Sequence, residues 1–135
     1  MTSPILALRA ALRSALLADA DLVERLGGAR VWDQPPQGTS PPYLLFAEAE
    51  ARDWSDADVA GHRHALALVA WSQQAGDAEA LGIVERAALL LDGAEPAVEG
   101  HRLLLLRVSA QEAWRPDRQG LRRAVLRLTA LTEPA

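Results

Sequence analysis

Apolar residues at the start of the chain recur at spacings of three and four: Ile5, Leu8, Leu12 and Leu16. That spacing lines one face of an α-helix. Ser3 is a suitable N-cap and Pro4 suits the first helical position. Asp19 and Asp21 interrupt the pattern, Leu22, Val23 and Leu26 form a last turn or a short second helix, and Gly27-Gly28 ends it. Arg30 to Trp32 reads as a short strand. Residues 34–42 carry Pro35, Pro36, Pro41 and Pro42 with Gly38, which predicts an extended exposed loop outside any sheet interior. The loop has no apolar residue to anchor it, so mobility is expected in an isolated subunit.

The period then changes to two. Along residues 43–52, Ala47, Ala49 and Ala51 fall on one face and Glu48, Glu50 and Arg52 on the other, a half-buried strand. Residues 62–72 form a second long strand. Gly76-Asp77 supplies a turn and an N-cap for a helix over 78–91, with Leu81, Val84, Ala88 and Leu91 inward and Asp92-Gly93 closing it. Residues 103–114 and 121–131 make a final strand pair around a turn. Leu104, Leu106, Val108 and Ala110 are assigned to one face of the first. Ala124, Leu126, Leu128 and Ala130 share a face of the second, opposite Arg123, Arg127 and Thr129. The order α-β-β-β-α-β-β predicts one α+β domain over 1–135, a mainly antiparallel sheet with two helices on one face.

Composition narrows the chemistry. Half of the 135 residues are apolar, enough for a real core. No apolar run approaches the roughly 20 residues of a membrane-spanning helix, and Arg9 and Arg13 break any signal-peptide core. We therefore expect a soluble, unexported protein. There is no cysteine, which excludes disulfides, thiolate catalysis and cysteine zinc sites. There is no lysine either: all 14 cations are arginine, so phosphate-loop lysines and Schiff-base chemistry are excluded. The net charge of −4 gives no global nucleic-acid footprint. Its distribution is uneven. Glu48, Glu50, Asp53, Asp56 and Asp58 face only Arg52 in one stretch; Arg115, Arg118, Arg122, Arg123 and Arg127 face only Asp117 in another.

Catalytic candidates are sparse. His62 and His64 alternate along a strand and so share a face, and His101 offers a third ligand; this is the metal-enzyme reading. The glutamate that a cupin-like site wants after the pair is missing, since Ala65, Leu66, Ala67 and Leu68 follow. Solvated strand-end histidines are the simpler expectation. Glu48 and Glu50 share a strand face, but no apolar surroundings raise either pKa. Of the four tryptophans, Trp71 is expected in the core, Trp32 over the sheet edge, and Trp54 and Trp114 in polar contexts that suit interface anchors.

Short features in order along the chain resemble the tail-terminator (tail-completion) family of long-tailed phages and gene transfer agents. They are Leu17-Ala18-Asp19, the run from Gly27 to Asp33, Pro42-Tyr43, Arg52-Asp53-Trp54-Ser55, Trp71-Ser72, Leu91-Asp92-Gly93, Gly100-His101-Arg102-Leu103 and Leu128-Thr129-Ala130-Leu131. The resemblance implies a non-enzymatic, cofactor-free subunit that forms a ring, usually a hexamer, on the head-proximal end of the tail tube. It implies contacts with the tail tube protein and a head-completion (stopper) protein, and DNA passing through the lumen. Assembly in the host cytoplasm, and then a place in the particle neck, go with it. Two different patches suit the head-to-tail contacts of a ring. We therefore assign Trp54, Asp53, Asp56 and Asp58 to one candidate interface patch and Trp114, Arg115, Arg122 and Arg123 to the other. A metal-dependent enzyme and a nucleic-acid-binding module built on the arginine strands are the alternatives.

Overall fold

The computed structural model describes residues 3–54 and 60–135. The helix α1 (Pro4–Leu17) starts where the pattern places it: the Ser3 hydroxyl accepts a hydrogen bond from the Leu6 N–H at 3.3 Å, with Pro4 at the first helical position. The interruption at Asp19 is a cap. Its carboxylate accepts from the Leu22 N–H at 2.9 Å and so opens a separate helix, α2 (Ala20–Leu26). Arg86 grips the same carboxylate with two hydrogen bonds of 2.9 and 2.7 Å. Chiefly through Arg86, and then Leu22, the Asp19 pKa falls to about 2. Gly27, in the left-handed region at φ 79°, ends α2.

Five strands follow, interrupted once: β1 (Val31–Trp32), β2 (Tyr43–Asp53), β3 (His62–Ser72), then α3 (Ala78–Leu91), then β4 (His101–Trp114) and β5 (Arg122–Pro134). They form one sheet in the order β1-β2-β3-β5-β4, antiparallel except for the parallel pair β1–β2. This is the α+β architecture expected, with the short α2 added. All three helices lie on one face. α1 packs over β1 and β2, and α3 over β3, β5 and β4. Between them sits the core: Leu8, Leu12 and Leu16 of α1, Ile83, Val84 and Leu91 of α3, and Leu44, Leu68, Leu126 and Leu128 from the sheet.

Two strands depart from simple alternation. β2 is bulged between Phe46 and Ala49. Leu44 and Phe46 therefore face the helices before the bulge, and Ala49 and Ala51, opposite Leu66 and His64, face them after it. The odd-numbered alanines and even-numbered leucine and phenylalanine share a face because one extra residue resets the phase. β4 carries two such irregularities, between Leu103 and Leu105 and between Val108 and Ala110. Leu104, Leu106, Val108 and Ala110 thus do not share a face. Leu106 and Val108 point to the helices, Leu104 is 45% exposed at a bulge, and Ala110 pairs with Arg127 on the open side.

Candidate assembly surface

The sheet face away from the helices carries most of the aromatic residues in one row. Tyr43 pairs with Trp71, Trp71 with Arg123, and Arg123 with Trp114, across four strands. The Arg123 guanidinium carbon lies 5.1 Å from the Trp71 ring centroid and 4.9 Å from that of Trp114, so the cation sits between two indoles. Trp32 extends the row, its ring 6.0 Å from Tyr43, with Arg30 at 5.5 Å on Trp32. Each close cation–π contact contributes about 0.5–2 kcal/mol, according to burial. Trp71 is therefore not a core residue. Its odd position on β3 turns it to the open face, where Arg123 and the neighbouring strands leave it partly exposed.

Beside this row the charges are paired within the chain. Arg127 donates to Glu112 at 2.6 Å and to Glu48 at 3.3 Å, reaching across β3. The Arg127 hydrogen bond, and next that from the Trp114 indole N–H, hold the Glu112 carboxyl below its ordinary pKa. Arg122 lies 3.4 Å from Asp77. Glu48 and Arg127, assigned from the sequence to separate acidic and basic regions, are one ion pair in the middle of the sheet. The bulge in β2 brings Glu48 to the open face, within reach of Arg127.

What remains of the charge split lies at the two ends of the strands. At one end, Trp114, Arg122 and Arg123 adjoin the turn of residues 115–121, which contains Arg115. Asp117 holds that turn by accepting from the N–H groups of Gln119 and Leu121, both at 2.9 Å. At the other end, Asp53 pairs with His62, and Trp54 donates its backbone N–H to Gly61 O at 3.1 Å. The strands of 11 to 14 residues put about 30 Å between the two ends. Trp54 (36% exposed) and Trp114 (38% exposed) thus mark opposite ends of one sheet. Asp56 and Asp58 lie outside the described residues.

The histidines cluster near the Trp54 end. His62 and His64 share the helix-side face of β3, their ring centroids 6.4 Å apart. His64 is not solvated: it is 2% exposed, and its Nε2 lies 2.9 Å from the Thr132 hydroxyl. Burial first, then the nearby His62 and His101, lower its pKa to about 4. A neutral imidazole engaged by Thr132 is the ordinary state of a core histidine. Among the described residues no three His, Cys, Asp or Glu side chains are grouped to hold a metal.

The proline loop has no apolar anchor, but its carbonyls are hydrogen-bonded to the rest of the chain. Arg30 donates to Pro42 O at 2.8 Å and to Ser40 O, and the Gln73 amide reaches Pro41 O at 3.5 Å. The signal was present in the sequence. Prolines lack an N–H, so their loop offers unpaired carbonyls, and an arginine lies just upstream.

Two grooves flank the sheet. One, of about 690 Å³, runs between α3 and β4 past Leu81, Glu85, Leu89, Asp92 and Val108. The other, of about 290 Å³, lies between α1 and the β1–β2 edge, lined by Leu6, Arg9, Arg13, Trp32 and Phe46 among others. Neither contains a nucleophile beside a base. Among the described residues no helix is long and apolar enough to cross a membrane.

No curated protein matches the chain. Among solved structures, a chain from "Virion of native gene transfer agent (GTA) particle" matches with a TM-score of 0.89 and 28% sequence identity. The match covers 98% of this chain and 99% of that one. The family model described as "Tail completion protein gp17" matches residues 10–133. The chain belongs to that tail completion family and is a structural protein of a phage-like particle.

Proposed function

We propose that the chain is a tail terminator. Copies of it close into a ring, a hexamer, on the head-proximal end of the tail tube, stop tube growth and join the tail to the head-completion (stopper) protein. DNA crosses the lumen in transit. The chain has no enzymatic activity and no cofactor in this reading. Assembly takes place in the host cytoplasm, and the ring then sits in the particle neck. The observation that carries the reading is the near end-to-end similarity to a chain of a gene transfer agent virion. The structure adds two chemically distinct, aromatic-tipped strand ends, as a part joined to two different neighbours needs. Asp53, Trp54, Asp56 and Asp58 would serve one contact, and Trp114, Arg115, Arg122 and Arg123 the other. The nucleic-acid-module reading loses support because Arg122, Arg123 and Arg127 are engaged by Asp77, two tryptophans and two glutamates.

Deleting the gene from the producing strain tests the reading. Micrographs should show tail tubes longer than normal and heads without tails, both restored by supplying the chain in trans. Tails of normal length attached to heads would overturn it.

A further inference from the structure

The two long edges of the sheet are unlike and complementary. On one, β1 accompanies β2 for only two residues. Val31 pairs with Leu44 on the helix side, Trp32 pairs with Leu45 on the open side, and the chain then turns away at Asp33. Beyond Leu45 no strand among the described residues lies on the outer side of β2. By alternation the next ladder position, opposite Phe46, faces the helix side. The cleft of Leu6, Arg9, Arg13 and Phe46 is at that place. Leu6 is 59% exposed there, and Arg9 Nε is buried with no hydrogen-bond partner.

The opposite edge is β4 with α3 above it. It presents Leu89, 72% exposed, Leu104 at a bulge, and the acidic pair Glu85 and Asp92 along its groove. Leu6, Leu89 and Leu104 are the large aliphatic residues most exposed among those described, and all three lie on these edges. One edge is apolar with Arg9 and Arg13 beside a single anion, Asp33, and the other is apolar with Glu85 and Asp92. An exposed strand edge is a template for another chain, and a buried guanidinium N–H without a partner favours the arrival of an acceptor.

We infer that copies of this chain meet edge to edge: the α3–β4 edge of one copy seats on the α1–β2 edge of the next, Leu89 entering the cleft beside Leu6 and Phe46, and Glu85 meeting Arg9. The contact joins two different patches, the heterologous type that closes a ring. Meeting like edge to like edge would set Arg9 against Arg9. The inference rests on the ring reading above, and it leaves both strand ends free for other partners in the particle.

The chain has no cysteine, so paired cysteines report contacts cleanly. In a Leu6→Cys, Leu89→Cys variant one thiol lies in the cleft outside α1 and the other in the groove outside α3, on opposite sides of the helix layer. Packed helix axes are about 8–10 Å apart, already beyond the roughly 7 Å Cα separation that a disulfide tolerates, so only neighbouring copies can join. Oxidation of the purified chain, and of particles carrying it, should give a reducible ladder in steps of 14.5 kDa. Arg9→Glu or Glu85→Arg in that background should abolish the ladder, and the two together should restore it. Multimers by native mass with no ladder would overturn the edge contact alone. No multimer of the unsubstituted chain, in solution or in particles, would overturn the contact and the ring reading together.

Discussion

The indole of Trp54 rests against Gly61. A Cβ built at residue 61 would fall 2.3 Å from both Cε2 and Cζ2 of that ring. Gly61 does not adopt the left-handed conformation that other residues avoid, so space is what the glycine provides. One backbone hydrogen bond and one ring contact thus fix a half-exposed tryptophan at the tip of the β2–β3 hairpin.

Gly61→Ala should displace the Trp54 ring and cost about 1–3 kcal/mol, the usual range for overpacking. The cost should disappear in a Trp54→Ala background, because the clash has gone. Denaturant melts of the two single variants and the double variant measure this coupling. Additive effects would mean that Trp54 is not held by this contact.

Arg123→Ala removes the guanidinium between Trp71 and Trp114 and should lower stability by about 1–4 kcal/mol, summing two cation–π contacts. Arg123→Lys should recover only part of it, since a compact ammonium cannot stack on two rings. Chemical denaturation of the three proteins gives the order wild type, lysine, alanine.

Arg115→Glu should leave the melting temperature unchanged, because exposed charges contribute about 0–1 kcal/mol. Incorporation into particles should nevertheless fall, because this end is assigned to a partner contact. Trp114→Ala should reduce incorporation further. Equal incorporation of both variants would remove this end from the interface.

His64 makes the fold sensitive to acid in a defined window. Its pKa is lowered to about 4 from 6.5, so the unfolded chain binds the proton more readily. Stability from this group is complete above pH 6.5, declines as the pH falls, and levels off below about 4. His64→Gln keeps a partner for Thr132 and removes the titration. Denaturation at pH 7, 5.5 and 4.5 should show a shallower pH slope in the variant.

The helices and the last strand were legible in the sequence because one period runs unbroken through each. Ser3 and Pro4 announced α1, and Ala124, Leu126, Leu128 and Ala130 announced the inward face of β5. β2 and β4 were legible as strands but not in their facing. Ala47, Ala49 and Ala51 alternate so regularly that nothing in the string marks the bulge beside Phe46. Trp71 looked like core because its neighbours are apolar. The residue that covers it, Arg123, is 52 positions away, and only the β3–β5 pairing brings them together. Trp54 was legible as a tryptophan in a polar setting; its dependence on Gly61 needed coordinates.

The guanidinium between Trp71 and Trp114 bears on how its end of the molecule responds to salt. Surface ion pairs are strongly screened in concentrated salt, where the Debye length shrinks to about 3 Å at 1 M. The contacts of Arg123 are with two neutral rings at close range, so its place on the sheet depends less on ionic strength than the glutamate pairs of Arg127 beside it.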